Sequence, residues 1–171
     1  MKFSVILATI LQLHGIMITQ FQDQSLIETT CKNTPNYELC FSTLTANPLS
    51  ATADVEGLGL IMVDSVKAKA ETVLSLINEL DDTQFMIKGA LQQCTLSYRA
   101  VLKADVPEAV AGLTKGVPKF AEFGMTDAAW EAEICEGSFG KAAVPVSPLS
   151  EVNKEMHDLA KIAVAIIRNL L

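Results

Sequence analysis

The stretch EVNKEMHDLAKIAVAIIRNLL, residues 151–171, sets Val152, Met156, Leu159, Ala163, Ile166 and Leu170 at alternating spacings of four and three, while Glu151, Lys154, Asp158, Lys161 and Arg168 mostly point elsewhere. That period belongs to a helix burying one stripe in a bundle, and Ser147-Pro148 marks its start. Working back along the chain, the same period recurs. Val55, Leu58, Met62, Val66, Ala70, Val73, Ile77 and Leu80 outline a helix from about Asp54 to Leu80, with Gly57 and Gly59 weakening its first turns. Ile87, Leu91, Cys94, Tyr98 and Val101 follow an Asp81-Asp82-Thr83 cap, and their stripe continues through Val106, Ala109, Val110 and Leu113 with a kink expected at Pro107. A further helix begins near Pro118, ends by Gly137 to Gly140, and carries Phe120, Trp130, Ile134 and Cys135, with Gly124 and Asp127 blurring its early register. Alternating runs of β-branched and aromatic residues are missing. The fold class is therefore all-α, and short links between helices imply an up-down-up-down four-helix bundle over residues 50–171.

Two short helical pieces precede the bundle, Ser25 to Lys32 and Pro35 to Ala46, with Thr34 placed to cap and Pro35 suited to a first helical position. Alone they would be marginal. Cys31 and Cys40 are separated by eight residues that include Pro35, which favours a local bridge and leaves Cys94 for Cys135. By the chain-entropy relation the two loops contribute roughly 2.7 and 3.9 kcal/mol. Residues 24–48 thus read as an N-terminal helical hairpin packed on the bundle or on a neighbour. Before it, Met1-Lys2-Phe3-Ser4 and the apolar run Val5 to Leu11 have the form of a secretory signal peptide over residues 1–20. Gln12 and His14 interrupt the run short of the roughly 20 residues a membrane-spanning helix needs. An even cysteine count fits the oxidising route such a signal opens.

Charge narrows the partners. Lys and Arg number 13 against 20 Asp and Glu, a formal net charge of -7, and the cations occur only in ones and twos. No basic stretch can track a phosphate backbone or hold an anionic membrane surface, so neither nucleic acid nor membrane is expected as a partner. Residue chemistry narrows the function further. After residue 20 the only histidine is His157, which removes most histidine-dependent triads and the Glu-x-x-His pairs of di-iron bundles; it sits beside the final stripe as a boundary residue. CxxC spacing and the Gly-x-Ser-x-Gly elbow are absent. No metal, no cofactor and no enzymatic activity are expected.

What remains is the link Lys115-Gly116-Val117-Pro118-Lys119-Phe120-Ala121-Glu122. Gly116 is placed to end one helix and Pro118 to begin the next. A cation and an aromatic ring held side by side at a rigid turn would form a wedge, Lys119 meeting a carboxylate and Phe120 filling an apolar pocket. The alternative, on residue types alone, is a capping turn whose Phe120 enters the core.

From Ile27 to Leu171 the chain resembles the plant invertase and pectin methylesterase inhibitors, and the invertase inhibitors in particular. The resemblance is carried by ETTCKNTPNYELC (28–40), LIMVDSVKAKA (60–70), the stretch from Ala104 to Glu122 containing Pro118-Lys119-Phe120, AIIRNLL (165–171), and the spacing of the four cysteines. It implies a four-helix bundle with an N-terminal α-hairpin and bridges pairing first with second and third with fourth cysteine. It also implies that Pro118, Lys119 and Phe120 enter the sucrose-binding cleft of an acid invertase of the cell wall or vacuole, excluding substrate, with tighter binding at acidic pH. Inhibition of pectin methylesterase by the same fold is the alternative, although those relatives dock through bundle faces and lack the Pro-Lys-Phe turn. One departure stands out: Phe123 lies where relatives tend to place Asp or Asn, either enlarging an apolar wedge or tucking into the bundle.

Overall fold

The computed structural model describes residues 25–81, 85–140 and 146–171, and every regular element in them is helical. Helix α1 covers residues 25–32, and α2 covers Tyr37–Ala46, followed by a 3₁₀ turn at Pro48–Thr52. The long α3 runs Val55–Asp81, and a 3₁₀ turn at Phe85–Ile87 leads into α4, Lys88–Ala100. A π turn at Val101–Asp105 joins α4 to α5, Val106–Thr114; α6 is Pro118–Phe139 and α7 is Ser150–Arg168. The chain is an up-down-up-down bundle in which α3, the composite α4–α5, α6 and α7 pack each on the next, α7 closing back on α3. The expected signal segment and the Asp82-Thr83 part of the expected cap lie outside the described residues. Among the described residues no helix is long and apolar enough to cross a membrane.

The core follows the stripes. Leu58, Met62, Val66, Ala70, Val73 and Ile77 of α3 are buried, as are Met156, Leu159, Ala163 and Ile166 of α7. On the composite helix Ile87, Leu91, Cys94, Tyr98, Val101, Val106, Ala109 and Leu113 are buried, while Val110 is exposed. The interruption expected at Pro107 takes the form of a π turn. Pro107 has no N–H to give, and the extra residue lets Val106 N–H bond Val101 carbonyl, so that Pro107 sits in the first turn of a fresh helix.

On α6 the expectation was of Phe120, Trp130, Ile134 and Cys135 along one element; only Cys135 turns inward, and Phe120, Trp130 and Ile134 are exposed. The bridge from Cys135 to Cys94, with Cα atoms 4.4 Å apart, sets the rotation of the helix. Its inner face is then Ala121, Met125, Ala128, Ala129, Ala132 and Phe139. Near the bridge Tyr98 donates to Asn153 Oδ1 at 2.7 Å, and Asn153 Nδ2 donates to Glu136 Oε2 at 2.7 Å. This joins α4, α6 and α7 through satisfied buried polar groups, whose loss would be costly in the low-dielectric interior.

Cys31 pairs with Cys40 across the α1–α2 turn, Cα to Cα 5.6 Å. The helical hairpin packs on its own bundle, with Ile27, Cys31, Cys40 and Leu44 buried in the common core. The cap differs from expectation. Asn36, not Thr34, caps α2 by accepting from Leu39 N–H at 3.2 Å. Thr34 donates its hydroxyl backwards to the Cys31 carbonyl at 2.8 Å, so Thr34 and Pro35 belong to the turn. Closing the bridge over so short a link needs both residues there, and the hydroxyl adds a second bond to the Cys31 carbonyl at the end of α1, which also accepts the Thr34 N–H at 3.0 Å.

Candidate functional site

The link between α5 and α6 is closed by three features in sequence. Gly116 takes φ 67°, and its N–H bonds Leu113 carbonyl at 3.0 Å while Val117 N–H bonds Gly112 carbonyl at 2.8 Å. This is the Schellman closure that a left-handed glycine just past a helix end permits. One residue on, Pro118 starts α6 with no N–H to leave unsatisfied. Two further glycines bring the helices together: a Cβ at Gly112 would stand 2.5 Å from the Ala121 nitrogen, and one at Gly124 would overlap the Asp105 carbonyl oxygen. The α5–α6 hairpin is therefore packed backbone to backbone on both sides of its tip.

At that tip Phe120 is 52% exposed, so it does not enter the core. Lys119 is half-exposed, and its Nζ lies 2.5 Å from Glu122 Oε2. Glu122 is buried and also receives Arg168 Nε from the end of α7 on Oε1, at 2.8 Å. Hydrogen bonds from Lys119 and then Arg168 hold the Glu122 carboxyl below the usual range, outweighing the burial that would raise it. Lys119 Nζ also stands 4.9 Å from the centre of the Phe123 ring, a cation–π contact. Phe123 is exposed. Of the two places open to it, it takes the one beside the tip.

The three residues singled out in the sequence, Pro118, Lys119 and Phe120, thus sit together on one projecting turn. Glu122 and Arg168 were not singled out. The spacing from Lys119 to Glu122 is a helical i,i+3 pair and so was legible as a bond, whereas Arg168 reaches Glu122 across 46 residues and only the closed bundle brings it there. Behind the tip Phe120, Phe123, Trp130 and Ile134 recur at spacings of three, seven and four along the outer face of α6, all exposed. His157 is half-buried between α6 and α7, its Nε2 3.1 Å from Glu133 Oε1 and its Nδ1 3.5 Å from Asp158 Oδ1, the boundary place expected of it. Among the described residues no group of three or more His, Cys, Asp or Glu is arranged to hold a metal ion. A site that offers a lysine, a bare aromatic ring and a rigid frame can dock, and it holds no nucleophile paired with a base.

Residues 25–166 match the sequence profile of a family described as plant invertase/pectin methylesterase inhibitor. The cell wall / vacuolar inhibitor of fructosidase 1 of Arabidopsis thaliana is 42% identical over 142 residues, 83% of this chain and 67% of that one. A pectinesterase inhibitor of Actinidia deliciosa is 30% identical over 154 residues, 87% of this chain and 80% of that one. The crystal structure of a mutant form of a pectin methylesterase inhibitor from Arabidopsis has the same fold, with TM-score 0.71 at 22% identity over 83% of this chain and 95% of that one.

Proposed function

The chain belongs to the plant invertase/pectin methylesterase inhibitor family, and on that premise we propose that it inhibits an acid invertase by seating Pro118, Lys119 and Phe120 in the sucrose-binding cleft. The family is made of inhibitor proteins, and the chain is not an enzyme. The observation that carries the reading is the half-exposed Phe120 beside a half-exposed Lys119 on a tip held by the Gly112 and Gly124 contacts. A retaining glycosidase keeps two carboxyl groups close together in its cleft, and Lys119 is the counter-charge such a pair attracts. Glu122 and Arg168 serve this by restricting the Lys119 stem before docking, which lowers the side-chain entropy lost on binding. Phe123 stands exposed beside Lys119 and so enlarges the wedge.

The 42% identity to an inhibitor of fructosidase supports the choice of target. The 30% identity to a pectinesterase inhibitor favours the alternative, inhibition of pectin methylesterase by the same fold. Inhibition is read as stronger at acidic pH, in the apoplast, cell wall or vacuole. Residues 1–20 are assigned as the secretory signal, 24–48 as the helical hairpin and 50–171 as the bundle. The test is inhibition of a purified acid invertase at about pH 5, near carboxylate pKa values, beside a pectin methylesterase control. Inhibition of invertase alone is expected; inhibition of the esterase alone would overturn the reading.

A further inference from the structure

We infer that Asp105 is a proton switch built into the α5–α6 hairpin: a proton bound on its carboxyl in mildly acid solution lets α6 seat against the π turn, and its loss towards neutrality loosens that seating. The inference concerns the fold of the hairpin and does not depend on what the tip docks into.

Asp105 is the last residue of the π turn, where α4 hands over to α5. It is only 7% exposed, and its Oδ2 is buried without a hydrogen-bond partner. Its main-chain carbonyl lies against Gly124, so the same residue forms the contact between the turn and α6. Among the described residues, the charges that bear on it are negative. Asp127 and Glu131 come from α6 and Glu108 from α5; α3 and α4, which also pack on the turn, supply none of the charges that bear on it. A carboxylate here would be a buried anion facing three others, whereas a neutral carboxyl forgoes only a hydrogen bond. The helix that brings Gly124 onto the turn brings Asp127 one turn further along, so an ionised Asp105 repels the element it packs against.

Burial first, then Asp127, Glu131 and Glu108, push the carboxyl up to about 6 from its ordinary 3.8. The sign follows from linkage. A group whose folded value lies above its unfolded one adds stability that is complete below the unfolded value, declines between the two and is gone above the folded one. Between pH 5 and pH 7.5 this one carboxyl lowers the folding equilibrium constant by about tenfold.

The test is urea unfolding of the disulfide-bonded chain at pH 5 and pH 7.5, for the natural protein and for Asp105→Asn. Asn keeps the shape and cannot ionise, and the titrating groups remote from residue 105 are common to both proteins and cancel. The natural protein should lose about tenfold more of its folding constant than the variant as pH rises, and the same excess should appear in hydrogen exchange of the amides of residues 106–125. Equal losses in the two proteins, or an excess absent from those amides, would overturn the inference. Should Asp105→Asn fail to fold, carboxyl-carbon NMR of the natural protein decides: a midpoint for Asp105 near 6 upholds the switch, and one in the ordinary aspartate range near 4 ends it.

Discussion

Along its inner face α6 sets Ala121, Met125, Ala128, Ala129, Ala132 and Cys135 against the bundle, whereas along its outer face Phe120, Phe123, Trp130 and Ile134 stand in solvent. Burial alone would place the bulk the other way round, because a buried aromatic removes far more apolar surface from water than an alanine does. The small inner side chains achieve close approach. With Gly112 and Gly124 they let the backbone of α6 lie on α5 and the π turn, and the tip inherits that rigidity. The outer side chains do nothing for the core, and a line of exposed large apolar groups beginning at the tip, with exposed Asp127 set between Phe123 and Trp130, has the character of a contact surface. One helix thus divides two tasks between its faces: the inner holds the frame, and the outer offers the chemistry.

The strongest way to break this division is to add a single methyl group to the inner face. Gly124→Ala brings a Cβ into the Asp105 carbonyl oxygen, where backbone must give way. Overpacking costs up to about 3 kcal/mol, and the better helix propensity of alanine returns about 1. We expect a net loss of up to about 2 kcal/mol in urea unfolding, with inhibition weakened because the tip loses its frame. Unchanged stability would mean that the α5–α6 packing tolerates more room than the contact allows.

At the tip the effect should fall on binding instead. Lys119→Ala and Phe120→Ala are each expected to cost at least about 2 kcal/mol of binding, a thirtyfold rise in the inhibition constant on that scale. Both should leave the helical circular dichroism unchanged, and Phe120→Ala the unfolding midpoint as well, since that ring does not enter the core; Lys119→Ala also removes a cation from buried Glu122 and should cost about 1 kcal/mol of stability. Full inhibition by both variants would remove the wedge.

How much of this division was legible follows from the same two faces. The stripes of α3 and α7 stood out because each of those helices puts polar residues opposite its apolar ones, and the 3.6-residue period is then unmistakable. In α6 the large apolar residues lie outside and alanine fills the inside, so side-chain size marks no buried stripe and its register stayed blurred. Cys135 marks the inner line: stepping back from it by seven and fourteen residues reaches Ala128 and Ala121. The tip was legible because Gly116 and Pro118 have positional meanings of their own. The buried Glu122 was not, because its second partner, Arg168, arrives only when the bundle closes. The cap of α2 failed for a smaller reason: Thr34 and Asn36 are both good capping residues, and the bridged turn between them decides which one caps.

Glu122→Gln probes the junction of the two faces. Gln can accept from only one of the two cations, and both Lys119 and Arg168 can return to water, so the loss should be modest, about 1 kcal/mol. Its pH dependence has the opposite sign to that of Asp105. Because the Glu122 carboxyl is held below its ordinary 4.5 by Lys119 and then Arg168, its contribution is present above that value and is lost as pH falls through the lowered one. The stability gap between the natural protein and Glu122→Gln should therefore stay constant from pH 7.5 to 5 and close only in more acid solution. A gap that closes as pH rises would contradict the pairing seen at the tip.

The smallest expected effect on folding is also the sharpest reading of the outer face. Trp130 is 59% exposed, and a substitution at a surface position without a cap, bridge or buried partner shifts stability by less than about 0.5 kcal/mol. Trp130→Ala should fall in that range by urea unfolding, which would be anomalous for a tryptophan serving the core, where truncation costs about 3–5 kcal/mol. If the outer face extends the wedge, the same variant raises the inhibition constant severalfold with the tip intact. A change in neither quantity would confine the contact to residues 118–120 and leave the exposed line behind them without a part in docking; a large loss of stability would place Trp130 with the frame and return α6 to a helix with one working face.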